Sequence, residues 1–210
     1  MIRYFGHSTV LLDKLVIDPH DGGSIGLLRP NYGEAKYVII THDHYDHNAF
    51  QLINYQDMKV AYTGSMDLGD FKVEGYSTFH DKERGKRRGR NIIYKIIRKS
   101  DNFTLVHLGD LGHPLSEDVL KQIKKPDLLA VPVGGLITID HNEASQLISE
   151  LEPSSILPIH YWIKGHYMPL NPVDEFIEKV KGKYELINIK ISKNEDLEKE
   201  GKGKVFYIKA

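Results

Sequence analysis

The chain has 210 residues, 40% of them hydrophobic, with 28 Lys and Arg against 29 Asp and Glu for a formal net charge of -1. That length can bury a full core, and the balanced charge gives no general attraction to nucleic acid or to a membrane surface. The absence of cysteine excludes disulfides and thiolate metal sites, so any metal must be held by carboxylates and by the 11 histidines.

Short β-favouring runs open the chain: Ile2–Phe5, Thr9–Leu12 and Leu15–Ile17, with Asp13-Lys14 as a tight turn between the last two. Tyr37–Ile40 is a continuous apolar run of the length of a buried strand. Further strands are expected at Lys59–Tyr62, Phe71–Glu74, Tyr76–Phe79, Asn91–Ile97, Thr104–His107, Leu128–Val131, Ser155–Ile159, Leu186–Ile191 and Val205–Ile208. Three helices interrupt them. Ser116 can cap Glu117–Lys125, Asn142 can cap Glu143–Leu151, and Asn171-Pro172 starts Val173–Lys181. The charged stretch 193–204 reads as a solvated hairpin turn. Strands first, then helices alternating with strands, fit sheets covered by helices in one domain over 1–210. No apolar run approaches the ~18 residues of a membrane span, and Met1-Ile2-Arg3-Tyr4 lacks the apolar core of a signal, so a cytoplasmic protein is expected.

The residues after Tyr37–Ile40 carry the chemistry. His42-x-His44-x-Asp46-His47 packs three imidazoles and a carboxylate into six positions directly after a buried strand, where ligand sites form at sheet edges. In extended backbone His42 and His44 point the same way, and a turn at Tyr45 would swing Asp46 and His47 to a neighbouring position. One segment could thus feed two adjacent ions.

This segment resembles the HxHxDH signature of the metallo-β-lactamase superfamily, and four further motifs follow the same order. Asp18 in Val16-Ile17-Asp18-Pro19, His80 in Thr78-Phe79-His80-Asp81, Asp110 in His107-Leu108-Gly109-Asp110 and His160 in Pro158-Ile159-His160-Tyr161 look like its remaining marks. Gly6-His7-Ser8, Gly89-x-Asn91, Gly109-Asp110-Leu111-Gly112-His113 and Pro132-Val133-Gly134-Gly135 resemble its small hydrolases related to ascorbate-6-phosphate lactonase.

The resemblance implies an α+β fold, a four-layer αββα sandwich, and a centre of two divalent ions. It places His42, His44 and His80 on one ion, Asp46, His47 and His160 on the other, and Asp110 between them. Zinc is expected; manganese, iron or nickel also suit His/Asp donors. Two aspartates cancel half the charge of two divalent ions, and what remains attracts an electron-rich carbonyl or phosphoryl oxygen. The implied activity is a metal-dependent hydrolase in which a hydroxide between the ions attacks an ester, lactone or phosphoester. Asp46 orients that nucleophile, His7 lines the pocket as a second catalytic candidate, and Asp18 and His113 stand behind the ligands.

Lys82-Glu83-Arg84-Gly85-Lys86-Arg87-Arg88-Gly89-Arg90 follows His80 directly. Arg87 and Arg88 are therefore candidates to capture an anionic small-molecule substrate. A nuclease is the alternative. It is disfavoured because the short stretches between His47, His80 and Asp110 leave no room for a substrate-clamping insertion, so no nucleic-acid partner is expected. A metal-binding protein without activity is a third reading. Tyr161, Trp162 and Tyr167 could cap the pocket or join subunits into a homo-oligomer.

Overall fold

A computed structural model describes residues 1–193 and 195–209. Thirteen strands among these form two sheets. The first has the order β1 (Ile2–Tyr4), β2 (Val10–Leu12), β3 (Leu15–Ile17), β4 (Tyr37–Ile40), β5 (Asp57–Val60). Its first three strands run antiparallel, with Leu12 facing Leu15 across the Asp13-Lys14 turn, and β3, β4 and β5 run parallel.

The second sheet contains β6 (Gly64–Leu68), β7 (Phe71–Phe79), β8 (Arg90–Arg98), β9 (Thr104–His107), β10 (Leu128–Pro132), β11 (Ser155–Ile159), β12 (Glu185–Asn188) and β13 (Lys204–Tyr207). The spatial order is β12-β13-β11-β10-β9-β8-β7-β6. The four strands from β6 to β9 pair antiparallel, and the remainder pair parallel.

Alternation along the strands divides the apolar side chains between layers. Val10, Leu12, Ile17 and Ile39 of the first sheet meet Val73, Ile92, Tyr94, Ile96, Leu105 and Leu157 of the second. The opposite face of the second sheet packs Ile93, Val106, Leu129 and Val131 against Ile123, Leu147, Ile148, Leu151, Phe176 and Val180. Those last six come from α1 (Glu117–Ile123), α2 (His141–Leu151) and α3 (Asp174–Val180). The outer face of the first sheet (Leu11, Val16, Val38, Ile40) is covered by Tyr32, Ala35, Ile53 and the 3-10 turn Phe50–Leu52. The architecture is the α+β sandwich expected, with its fourth layer reduced to this segment.

Four local readings change. Asp140, not Asn142, caps α2: its carboxylate accepts the N–H of Asn142 at 2.8 Å and of Glu143 at 3.0 Å, while Glu143 Oε2 accepts the Asp140 N–H at 3.1 Å. The D-x-x-E pair forms a capping box that satisfies more orphan donors than a lone Asn could. Phe71–Glu74 and Tyr76–Phe79 are one strand. Gly75 joins them because a Cβ there would lie 2.1 Å from the Tyr62 carbonyl. Strand β6 has no apolar run to announce it and forms by pairing with β7. The stretch 193–204 is no hairpin, since β12 and β13 are parallel and a 3-10 turn, Leu197–Glu200, lies between them; Asn194 falls outside the described residues.

Candidate metal centre

Strands of both sheets end at one edge, and each end delivers a polar side chain. Asp18 follows β3, the 41–47 segment follows β4, His80 follows β7, Asp110 lies three residues past β9, and His160 follows β11. His7 sits in the turn between β1 and β2. His7, His42, Asp46, His47, His80, Asp110 and His160 are all buried, and His44 is half-buried. His7, Asp18 and His160 hold left-handed φ of 52°, 48° and 51°. Non-glycine residues adopt that region at a cost, and it gathers at functional sites.

Asp110 occupies the middle. Its Oδ2 lies 3.0 Å from His80 Nε2, 3.0 Å from His160 Nε2, 3.3 Å from His47 Nε2 and 3.7 Å from His42 Nε2. It reaches there from a loop fixed by Asn91, whose Oδ1 accepts the Asp110 N–H and whose Nδ2 donates to the Leu108 carbonyl, both at 2.9 Å. Gly109 makes that loop fit: its φ is 55°, and a Cβ would lie 2.4 Å from Asn91 Oδ1.

The imidazoles are aimed by their outer nitrogens. His47 Nδ1 donates to Asp18 Oδ2 at 3.0 Å. His42 Nδ1 donates to Thr41 Oγ1 at 2.9 Å, and that hydroxyl donates onward to Asp18 Oδ2 at 2.7 Å. His80 Nδ1 donates to the Ile137 carbonyl at 3.0 Å. Each bond fixes a tautomer and leaves Nε2 bare toward the centre. On the other side, His7 Nε2 lies 2.9 Å from Asp46 Oδ2, itself 3.3 Å from His47 Nε2.

Electrostatics matches a place for cations. Burial would raise the Asp110 carboxyl, but His160, His47 and His80 hold it well below the carboxylate range. Burial opposes a charge on His47, yet Asp110, Asp46 and Asp18 around it drive its affinity for a proton well up. Burial pushes His42 well below the usual imidazole range, and His7 down to about 3. His42 Nε2, His47 Nε2, His160 Nε2 and Asp110 Oδ1 are buried without a hydrogen-bond partner. Orphaned groups of this kind cost ~1–3 kcal/mol each, and a divalent cation taking nitrogen and oxygen donors supplies their missing partner. Donor atoms of His42, His44 and His80 lie within 4.8 Å of one another, as do those of His7, Asp46, His47 and His160. The residues present fit two such ions.

A cleft of about 800 Å³ opens over the centre, lined by His44, His80, Lys82, Arg87, Arg88, Leu136, Thr138 and Glu143 among others. An adjoining recess of about 340 Å³ is lined by His44, Tyr45, Asp46, His80, Arg88, Asp110 and Met168 among others. The basic loop is held at this mouth by Asp81, whose carboxylate accepts the backbone N–H of Glu83, Gly85, Arg87 and Arg88 at 2.8–3.1 Å. Arg87 is paired with Glu83 and Lys82 with Glu143, both at 2.6 Å. Arg88 has no carboxylate partner among the described residues.

His113 stands away from the ligand rings. Its Nε2 accepts the N–H of Phe79 at 3.0 Å and its Nδ1 donates to the Pro114 carbonyl at 2.7 Å, so it props the strand end that carries His80. His166, which no motif marks, is buried with both ring nitrogens unpartnered and stacks on His7 with ring centroids 5.1 Å apart. His20 and His107 serve the frame by binding the Phe5 and Ser8 carbonyls.

A model of the beta-lactamase superfamily domain matches residues 1–160. A UPF0173 metal-dependent hydrolase of Caldivirga maquilingensis is 24% identical over 194 residues, covering 76% of this chain and 81% of the relative. A Thermotoga maritima crystal structure assigned to the metallo-beta-lactamase superfamily is 31% identical, covers 99% of this chain and 97% of that one, and superposes with a TM-score of 0.76. A metallo hydrolase from Ignicoccus hospitalis, 22% identical, shares the fold over 86% of this chain and 89% of its own, with a TM-score of 0.64.

Proposed function

The chain belongs to the metallo-beta-lactamase superfamily, and from that footing we propose that it is a hydrolase with two divalent ions, zinc foremost, acting on an ester, lactone or phosphoester of a small anionic substrate. The observation that carries the reading is the Asp110 carboxylate set among four inward-facing imidazole nitrogens beneath a cleft. His42, His44 and His80 would hold one ion, Asp46, His47 and His160 the other, and Asp110 both. The names of the similar proteins, among them metal-dependent hydrolases, agree with this reading.

When bound, divalent ions ionise water near neutral pH and polarise the group under attack. The protein's own residues do the rest. Asp18 and Thr41 fix the His42 and His47 tautomers, so those rings present lone pairs without reorganisation. Asp46 lines the recess and orients the attacking water. The cleft volume is that of a small-molecule site, and Arg88 stands in the recess to bind the anionic group of the substrate. The exposed Leu136 and Tyr45 give apolar surface at the rim for the remainder. Zero cysteine suits a cytoplasmic setting.

The experiment is a panel of neutral and anionic esters, lactones and phosphodiesters, assayed with and without chelator alongside elemental analysis. Chelator-sensitive turnover of at least one ester, lactone or phosphoester is expected. Activity indifferent to chelator, or protein that takes up no divalent ion, would end the reading.

A further inference from the structure

The two donor groups differ in a way the superfamily motifs do not capture, because His7 stands among the donors of one. We propose that His7 is itself a ligand, its Nε2 joining Asp46, His47 and His160 around the second ion. This rests on the two-ion reading above.

The spacing is that of donors sharing one ion. With bonds of ~2.1 Å, neighbouring donors lie roughly 3.0–3.5 Å apart. His7 Nε2 is 2.9 Å from Asp46 Oδ2, which is 3.3 Å from His47 Nε2. All four residues place donor atoms within 4.8 Å of one another. The backbone supports the placement. The His7 carbonyl accepts the N–H of His160 at 2.7 Å and the hydroxyl of Tyr4 at 2.9 Å, so His7 and His160 are positioned together. The rings of His7 and His160 are 4.6 Å apart at their centroids, and both leave Nδ1 buried without a partner. His7 matches His160 in burial, in left-handed φ and in a bare Nδ1, while its Nε2 meets Asp46 where that of His160 meets Asp110.

An asymmetry follows. The second ion would have His7, Asp46, His47, His160 and Asp110, whereas the first has His42, His44, His80 and Asp110. Of the imidazoles only His44 and His80, both on the first ion, line the two clefts, and the second ion would meet them through Asp46 and the shared Asp110. With five protein donors the second site would have fewer positions left for water or substrate than the first, which favours a retained ion there and an open position on the first. One ion would be held tightly as part of the framework and the other would exchange.

The test uses wild-type protein loaded with isotopically enriched cadmium and proton–cadmium correlation spectra, in which each metal-bound imidazole gives its own cross-peak. His7 is expected to correlate with the cadmium that also correlates with His47 and His160. Cross-peaks from the other five histidine ligands without His7 would overturn this inference and leave the two-ion reading standing. No cross-peaks at all would overturn both. Metal content during dialysis against chelator supplies a second readout. Wild-type protein should lose one ion at least tenfold more slowly than the other. His7→Gln should lose both at similar rates, although glutamine can still donate a hydrogen bond to Asp46. Retention of the slow ion by His7→Gln would reduce His7 to a hydrogen-bond donor and overturn the assignment.

Discussion

The Asp18 carboxylate accepts the Nδ1–H of His47 at 3.0 Å while also accepting the backbone N–H and the hydroxyl of Thr41, each at 2.7 Å. One buried anion therefore sets the tautomers of two rings, His47 directly and His42 through Thr41. Asp18→Asn offers His47 a donor where it needs an acceptor and favours the tautomer with a proton on Nε2. We expect metal affinity to fall about 10–100-fold, read by competition with a chromophoric chelator. Unchanged affinity would show that the hub is structural only.

Removing the ions should loosen the protein. Bare nitrogens and a central carboxylate are buried together, and a cation that binds only the folded state at about 1,000 times its Kd adds ~4 kcal/mol. For a chain of this size each kcal/mol moves Tm by about 2–4 °C. Exhaustive chelation is expected to lower Tm by about 10 °C, and added zinc to restore it, in a calorimetric scan. A melt insensitive to both treatments would contradict the assignment.

The two candidate arginines should behave differently. Arg87 is paired with Glu83, whereas Arg88 lines the adjoining recess without a carboxylate partner among the described residues. Arg88→Ala should raise KM for an anionic ester about tenfold with little effect on a neutral one, the loss of one charge-assisted contact. Arg87→Ala should change either KM less than about twofold. Equal responses from the two variants would remove the anion site from Arg88.

Acid should weaken the far end of the molecule. Hydrogen bonding to Arg98 holds the Glu198 carboxyl down from 4.5 to about 2, against the effect of burial and with help from the Met1 ammonium. A depressed folded value means the stabilisation is complete above about pH 4.5 and disappears as pH falls toward 2. Since Glu198 is one-third exposed, the effect is about 1 kcal/mol after screening. Wild type and Glu198→Gln should differ in Tm at pH 7 and converge near pH 2. A constant gap across that range would assign the difference to packing.

Much of the centre was legible because its donors follow strand ends, where a β-favouring run stops and a polar motif begins. Tyr37–Ile40 leading into His42 and Ser155–Ile159 leading into His160 are the clearest cases. What stayed hidden depends on long-range contact. His166 reaches His7 only because the loop after β11 folds back, and no spacing in the chain reveals it. The Ile137 carbonyl that orients His80 belongs to a residue of no chemical distinction. The division of labour between Arg87 and Arg88 hangs on which one finds Glu83. Strand β6 forms because β7 offers it an edge, so its residues carry no signal of their own.

The candidate ligands are split between the sheets: His7, His42, His44, Asp46 and His47 hang from the first, and His80, Asp110 and His160 from the second. During synthesis the first group emerges early and waits for His160, the last to appear. A nascent chain therefore holds only part of the candidate ligand set until β11 has been made, and the set is complete only once the two sheets have docked.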